Sequence, residues 1–225
     1  MEFLYADEHL CAVMKPSGLL VHRGPDRPRH VAMTLARDGL GRHVYPVHRL
    51  DRAASGVLIF ALTSAAAAAI QAQFVAGTIV KRYLALARGK PPAEAVIDHP
   101  IEGAPALTTI RALETFDLRG QAPPEINPYA TLLEAFPKTG RTHQIRRHCK
   151  HLGHPLVGDV RYGKGPLNHF YADAAGLNRL ALHALEIRFA HPADGREIVV
   201  SASPPPDLSE PLTRLRALAP CSAGP

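Results

Sequence analysis

The run His48-Arg49-Leu50-Asp51 places one carboxylate among cations, shortly before the apolar segment Gly56–Leu62. A carboxylate flanked by bases is favoured in its ionised form, and it could act as a nucleophile or as a general base. The four residues alone are more typical of a solvated charged turn. The longer pattern HRLDxxxSG, which continues through Ser55, is far more specific, and it makes Asp51 the first candidate for catalysis.

A second candidate is the basic turn KTGRTHQIR, residues 138–146. It contains Lys138, Arg141 and Arg146, with His143 among them. Such a turn can present backbone N–H groups and guanidinium groups to phosphates. An ordinary basic turn followed by a solvated helix face would have the same composition. Arg146 could also pair with the carboxylate described above, which the sequence by itself leaves open.

The segment Lys81-Arg82-Tyr83 places a tyrosine next to two cations. A tyrosine in this setting could stack on a nucleic-acid base or transfer a proton. A strand tyrosine with its ring in the core is equally compatible with these three residues. Tyr83 is therefore a candidate whose role depends on what surrounds it in the folded chain.

Four histidines lie close together in the chain, and they are His143, His148, His151 and His154. Histidines at short spacing can bind a metal, so a histidine-ligated metallohydrolase has to be considered. No acidic ligand lies nearby, the HExxH pattern is absent, and the two arginines and the lysine in the same segment would repel a cation. We therefore predict no metal site.

Apolar runs bounded by turn residues predict the strands that must position these side chains. The predicted strands are Leu10–Met14, Leu19–Val21, Gly56–Leu62, Thr78–Arg88, Tyr129–Phe136 and the hairpin Arg179–Ala190 with Arg196–Ser201. The predicted helices run from a Ser64 N-cap to a stop at Gly77, over His143–Leu152 and over Leu208–Leu218. Residues 23–29 read as a loop, and residues 90–128 as loops with short strands.

Strands dominate this pattern, and the helices do not alternate regularly with them. The sequence therefore predicts an α+β fold, with a mixed, mainly antiparallel β-sheet and helices packed on it. No internal repeat or break in composition marks a boundary. We expect residues 1–225 to form a single catalytic domain.

The net charge and the cysteines indicate what kind of partner the protein binds and in which compartment it works. The formal net charge of +6 favours an anionic partner, with nucleic acid as the first candidate. Cys11, Cys149 and Cys221 lie far apart, which is typical of reduced thiols in a cytoplasmic protein. The N-terminus carries acids where a signal peptide needs bases, and no apolar run reaches the roughly 20 residues that span a bilayer. We expect a cytoplasmic protein without a membrane partner.

Together these segments resemble the RluA-type family of pseudouridine synthases. The matching segments, in order, are Lys15–Gly18, His48–Gly56, Lys81–Ala85, Gly140–Arg146 with Gly153–Asp159, and Arg179–Ala184. They occur in the family's order over roughly residues 3 to 203. The resemblance implies the pseudouridine synthase catalytic fold and the isomerisation of uridine in RNA, without a cofactor.

The resemblance also implies roles for individual residues. Asp51 is expected to be the essential carboxylate, which attacks the sugar, attacks the base or abstracts a proton. Arg146 is expected to be its ion-pair partner, and Tyr83 the stacking platform and proton-transfer group. Leu182 is expected to help close the floor of the pocket.

The target base must leave its stack, so a side chain should fill the gap. Arg49 and His48 are the candidates, with Arg49 ahead because a guanidinium plane stacks well. We expect phosphate contacts from Lys81, Lys138 and Arg141, and we include His143 in the predicted substrate-binding set.

Within the family, three features resemble the TruC branch, which acts on the uridine at position 65 of tRNA. They are Leu20–Arg23, the run Arg146-Arg147-His148, and Gly163-Lys164-Gly165 followed by Asn168 and His169. We expect a monomer that acts on tRNA, with ribosomal RNA as the second candidate substrate. The small N-terminal RNA-binding domain of some relatives is not expected. A non-catalytic RNA-binding protein on the same scaffold is the remaining alternative.

Overall fold

The computed structural model describes residues 1–22, 30–163 and 165–219 of the chain. These residues divide between two compact units. Unit 1 comprises Met1–Tyr83 with His183–Ser203, and unit 2 comprises Leu84–Leu182 with the chain from Pro204 onward. That the whole chain acts as a single catalytic domain stays a prediction.

The described residues form strands and helices in an irregular order. The strands are β1 (Phe3–Ala6), β2 (Leu10–Lys15), β3 (Tyr45–Pro46), β4 (Ser55–Ala61), β5 (Val80–Arg88), β6 (Glu94–Ile97), β7 (Thr108–Asp117), β8 (Tyr129–Pro137), β9 (Leu182–Ala190) and β10 (Glu197–Ser201). The helices are α1 (Ala32–Leu40), α2 (Ser64–Ala76), α3 (Gln144–His151), α4 (Gly165–Ala175) and α5 (Pro206–Leu218). No helix in the described ranges is long and apolar enough to cross a membrane.

In unit 1 the strand order is β1-β2-β4-β9-β10, and β3 pairs with the far end of β4. Strands β4 and β9 pair in parallel, while β1 with β2, β2 with β4 and β9 with β10 are antiparallel. In unit 2 the order is β5-β8-β7-β6, and β7 pairs antiparallel with both β6 and β8. The predicted mixed, mainly antiparallel sheet with helices is confirmed.

Strand β4 is buried on both faces, and its alternation sorts its side chains between two clusters. Val57 and Ile59 pack with residues of α2, whereas Leu58 and Phe60 pack with residues of α1. This explains why GVLIFAL is a nearly continuous apolar run rather than an alternating one. The strand is therefore a rigid support for the residues that precede it.

Helix α2 ends at Gly77 as predicted, but its N-cap lies one residue earlier than the predicted Ser64. Its N-cap is Thr63, whose hydroxyl accepts a hydrogen bond from the Ala66 N–H, and Ser64 is the first helical residue. Gly77 terminates the helix in the left-handed conformation, with φ of 69°. The threonine does the capping because its backbone is extended and Ser64 is already helical.

The predicted strand Leu19–Val21 is wrong. The Leu20 and Val21 carbonyls instead accept hydrogen bonds from the N–H groups of Ala32 and Met33, at the start of α1. These carbonyls satisfy helix N–H groups that have no partner within the helix, so they are not available to a strand ladder. The predicted loop over residues 23–29 lies outside the described residues.

Four elements of the described residues were not predicted, namely β1, β3, α1 and α4. Helix α1 begins without a side-chain cap of the usual kind, because Val31 precedes it, and Thr34 reaches back to the Val31 backbone instead. Strand β7, at ten residues, is also longer than the short strands expected between residues 90 and 128. The pairing of β7 with β8 supplies the regularity that its own sequence lacks.

Candidate active site

Asp51 is half-buried in unit 1, in a turn directly before β4. The Ala54 N–H donates to the Asp51 carbonyl at 3.1 Å and closes this turn. Leu50 is buried in the core next to it, and Arg49 is exposed. The buried leucine fixes the backbone of the HRLD run, so the alternation along the chain turns Arg49 toward solvent.

The turn that carries Asp51 is held by the first motif, KPSG. The Lys15 side chain is fully buried, and its ammonium group donates to the carbonyls of Pro16, Leu19 and Arg52. The Ser17 hydroxyl donates to the Ala53 carbonyl at 2.8 Å. Buried charges need such partners, and here three carbonyls supply them. These contacts fix the backbone of the two residues that follow Asp51.

A second set of contacts holds the start of β4. The Ser55 hydroxyl lies 2.8 Å from Nδ1 of His183, and Nε2 of His183 lies 2.9 Å from the Ala202 carbonyl. Because a carbonyl can only accept, Nε2 carries the proton, and in the neutral imidazole Nδ1 then accepts from the Ser55 hydroxyl. Both side chains are completely buried. This buried pair joins β4 to β9 beside the position where Gly56 lies opposite Ala184.

Tyr83 packs against the core cluster that contains Leu50. Burial raises the pKa of the Tyr83 phenol above its usual range, and the charge of Asp51 raises it further. The phenol therefore keeps its proton at neutral pH. It can donate a hydrogen bond or present its ring to a base, but it is a poor proton acceptor. The structure thus brings Tyr83 within the electrostatic range of Asp51.

His48 is tied to the core. Its Nε2 accepts a hydrogen bond from the Ile59 N–H at 2.9 Å, and its ring stacks on Phe74. Burial, together with the charge of Lys81, lowers the pKa of His48 from 6.5 to about 3. The imidazole therefore stays neutral. It accepts from the β4 backbone at Ile59, next to Phe60, where the pairing of β4 with the two-residue strand β3 ends.

The low pKa of His48 predicts acid sensitivity. Unfolded His48 binds a proton below about pH 6.5, whereas folded His48 does so only near pH 3, so stability is lost as the pH falls through this window. Between pH 7 and pH 4.5, we expect the free energy of unfolding to fall by about 1 to 2 kcal/mol less in His48→Gln than in the parent protein. Its side-chain oxygen can still accept from Ile59.

Urea unfolding at the two pH values measures this difference. The other acid-titrating groups are common to both proteins, so the comparison isolates His48. Equal losses of unfolding free energy in the two proteins would contradict the prediction.

In unit 2 the basic turn is organised by Gln144, which is buried. Its amide oxygen accepts from the Thr139 hydroxyl and from the Arg141 N–H, and its amide nitrogen donates to Leu107 and Thr108. The amide oxygen thus accepts two hydrogen bonds and the amide nitrogen donates two, which is the full number that this side chain can make. The turn is therefore rigid, and it presents the exposed Lys138 and Arg141 side chains outward.

Arg146 is buried and is held by a carboxylate of its own unit. Its Nε and Nη2 atoms donate to the two carboxylate oxygens of Asp159 at 2.7 and 2.9 Å. Burial by itself raises the pKa of Asp159, but the bonds from Arg146 and from two backbone N–H groups outweigh it and lower the pKa. The two-point geometry fixes the plane of the guanidinium. Pairing of Arg146 with Asp51 stays a prediction.

Two of the four clustered histidines share a partner, His99, and the other two have partners of their own. His143 contacts Tyr162, His148 contacts the His99 carbonyl, His151 stacks on His99, and His154 contacts the Arg88 carbonyl. Throughout the described ranges, no three His, Cys, Asp or Glu side chains are grouped so that they could hold a metal ion.

The segments that resemble the tRNA-specific branch have structural partners. Asn168 donates to the Asp159 carbonyl and accepts from the Gly158 N–H and from Arg88. Arg147 pairs with Glu102 at 2.6 Å. Arg23 and Lys164 lie outside the described residues, and Leu182 is buried at the start of β9.

The structure therefore groups the predicted site residues by unit. Unit 1 holds one group, which comprises His48, Arg49, Asp51, Lys81 and Tyr83. Unit 2 holds the other, which comprises Lys138, Arg141, His143, Arg146 and Leu182. The supporting residues Gln144, Tyr162 and His183 were not predicted to have a role, and Ser55 was named only as part of the HRLDxxxSG pattern. Each of them lies inside a quoted motif or next to one, which is the signal that could have found them.

Comparison with known proteins decides the family. The model of the RNA pseudouridylate synthase family matches residues 9–151, which include Asp51, Tyr83 and Arg146. The chain belongs to the RNA pseudouridylate synthase family. It is 37% identical over 230 residues to tRNA pseudouridine synthase C of Vibrio parahaemolyticus, a match that covers 90% of each chain. It is 39% identical over 224 residues to the protein of the same name from Vibrio cholerae, again over 90% of each chain.

Solved structures of this family have the same fold. Human RNA pseudouridylate synthase domain containing 4 superposes with a TM-score of 0.75 at 24% identity, covering 96% of this chain and 93% of the human one. Human RNA pseudouridylate synthase domain containing 1 gives a TM-score of 0.71 at 27% identity, covering 96% and 94%. The pseudouridine synthase fold expected from the motifs is therefore confirmed.

Proposed function

We propose that this pseudouridine synthase isomerises uridine in tRNA, at position 65, with Asp51 as the essential carboxylate. One observation carries the proposal: a half-buried carboxylate lies on a turn fixed by KPSG, within the electrostatic range of a phenol that keeps its proton. The relatives at 37–39% identity, named for tRNA, support the substrate.

The reaction breaks the bond between the sugar carbon and N1 of uracil and rejoins that carbon to C5. The proton that leaves C5 is balanced by the hydrogen gained at N1, so no redox partner is needed. Asp51 acts by attack on the sugar, as in a retaining glycosidase, by attack on the base, or by abstracting a proton from the sugar. All three routes require an ionised and oriented carboxylate, and the fixed turn supplies the orientation.

Tyr83 and Arg146 have complementary parts in this proposal. The protonated phenol of Tyr83 stacks on the uracil and donates a hydrogen bond while the base turns. Arg146 is the proposed ion-pair partner of Asp51. Its guanidinium plane is already held by Asp159, so the group is oriented before any substrate binds.

Arg49 is the residue that we propose fills the space left by the uridine. Its side chain is exposed and adjoins Asp51, whereas the His48 ring is held by Ile59 and Phe74. A guanidinium plane can stack between the neighbouring bases and offset part of the few kcal/mol that unstacking costs. Leu182 is assigned to the floor of the pocket.

The RNA backbone is bound, in this proposal, by Lys81, Lys138 and Arg141. The last two are exposed on a rigid turn, and the net charge of +6 favours a polyanion. Because cations that neutralise phosphates release counterions, binding should weaken steeply with salt. A monomer in the cytoplasm, where tRNA is modified, completes the proposal.

The purified protein tests this function directly. We expect it to release tritium from tRNA transcripts that carry uridine labelled at C5, and we expect a transcript with cytidine at position 65 to release none. Ribosomal RNA transcripts serve as the competing substrate. Release from ribosomal RNA alone would overturn the choice of tRNA, and RNA binding without pseudouridine in any transcript would favour the non-catalytic alternative.

A further inference from the structure

A short turn of unit 2, Asp159–Tyr162, is bonded to both ends of the first turn of α3. The Asp159 carboxylate binds Arg146, and its Oδ1 also accepts from the N–H groups of Arg161 and Tyr162. The Tyr162 hydroxyl lies 3.0 Å from Nδ1 of His143. His143 and Arg146 both contact Tyr162, so this turn lies against the start of α3.

His143 has a backbone conformation that needs support. Its φ is 55°, in the left-handed region, which a residue other than glycine adopts at a cost of about 1 kcal/mol. It is the N-cap of α3 and makes no side-chain capping bond to the helix. Its imidazole is instead engaged by Tyr162, through the hydrogen bond and an edge-to-face ring contact. The contact gives the side chain a definite direction at a strained point of the chain.

The Tyr162 ring also contacts Arg146. The guanidinium carbon lies 5.1 Å from the ring centroid, within the range of a cation–π interaction. Asn168 steadies the same turn, because it binds the Asp159 carbonyl and the Gly158 N–H. Tyr162 thus touches two residues of the predicted site and rests on a turn with a fixed backbone.

From this geometry we infer that Tyr162 is a positioning residue, which acts through His143 and sets the direction of its imidazole for the reaction. The inference rests on the proposed function. It assigns no contact with the substrate to Tyr162. Its hydroxyl holds the imidazole, and its ring packs beside the guanidinium that Asp159 already holds.

A double-mutant cycle tests this inference. Tyr162→Phe removes only the hydroxyl, and His143→Gly removes the imidazole while suiting the positive φ. We expect Tyr162→Phe to lower kcat on tRNA about tenfold, with KM within about twofold, because a misdirected imidazole in the substrate-binding set would hold the bound uridine out of its reactive geometry more than it would weaken binding. In the His143→Gly background the same change should have no further effect on kcat.

Tyr129→Phe is the matched control. Tyr129 lies in the same unit and its ring contacts the Lys90 ammonium group, yet it is outside the site, so kcat should stay unchanged. Thermal unfolding of every variant shows whether the fold is kept. A Tyr162→Phe enzyme with the parent kcat, or a drop that is repeated in full in the His143→Gly background, would overturn the inference.

The contact itself has a readout that does not depend on turnover. The Nδ1 resonance of His143 in nitrogen NMR should shift in Tyr162→Phe and stay unchanged in Tyr129→Phe. An unshifted resonance would overturn the inference even in an active enzyme. A parent protein that binds tRNA without turnover would overturn the proposed function, whereas the resonance would still report on Tyr162.

Discussion

Asp51→Asn is expected to reduce pseudouridine formation at least about a thousandfold while tRNA binding stays within about twofold. The amide has the size of the carboxylate but neither its charge nor its nucleophilicity, so every route open to Asp51 is blocked. The turn should persist, because Lys15 and Ser17 bind the carbonyls of Arg52 and Ala53, and the substitution leaves these backbone contacts in place. Tritium release from labelled tRNA measures activity, and filter binding measures affinity.

Asp38→Asn provides the control for this change. Asp38 is an exposed carboxylate of the same unit, paired with Arg37 on α1, so its loss should leave both activity and binding unchanged. Full activity in Asp51→Asn would rule out the proposed mechanism. A loss of tRNA binding as large as the loss of activity would show that Asp51 acts in recognition and not in chemistry.

Gly56→Ala is expected to destabilise the protein by at least about 4 kcal/mol, which is a large part of the stability of an ordinary domain. Gly56 has a φ of 120°, and a Cβ atom there would lie 2.5 Å from the Ala184 nitrogen and still closer to the Ala184 carbonyl oxygen. These are backbone atoms of the parallel partner strand, so they cannot move aside as a flexible side chain could. The pairing of β4 with β9, directly after the Asp51 turn, would have to open.

Gly77→Ala separates the steric clash from backbone strain. Gly77 also has a positive φ, 69°, but a Cβ atom there would meet no atom within 4 Å. We expect it to cost only about 1 kcal/mol. Chemical denaturation of the two variants measures the difference, and comparable losses would show that β9 yields to the added methyl group.

Several elements could be predicted because their signals are local. The apolar run of β4 and the alanine-rich α2 with Gly77 at its end depend on residues adjacent in the chain, as do the hairpin strands near the C-terminus. The order of the motifs along the chain indicated the family, and the comparisons confirm it. Asp51, Tyr83 and Arg146 were named from those motifs, and their roles stay proposals.

The amino-acid sequence by itself thus determined the strand-rich fold class, the family and the residues that carry its motifs. The tertiary structure alone decided what supports them. Lys15 proved to be a buried ammonium group that binds three carbonyls, and His48 a neutral acceptor for the β4 backbone. Such contacts join residues far apart in the chain, often to backbone atoms that every residue has. No local sequence pattern predicts these contacts, because the packing of the folded chain, and not the residue type, determines which atoms meet.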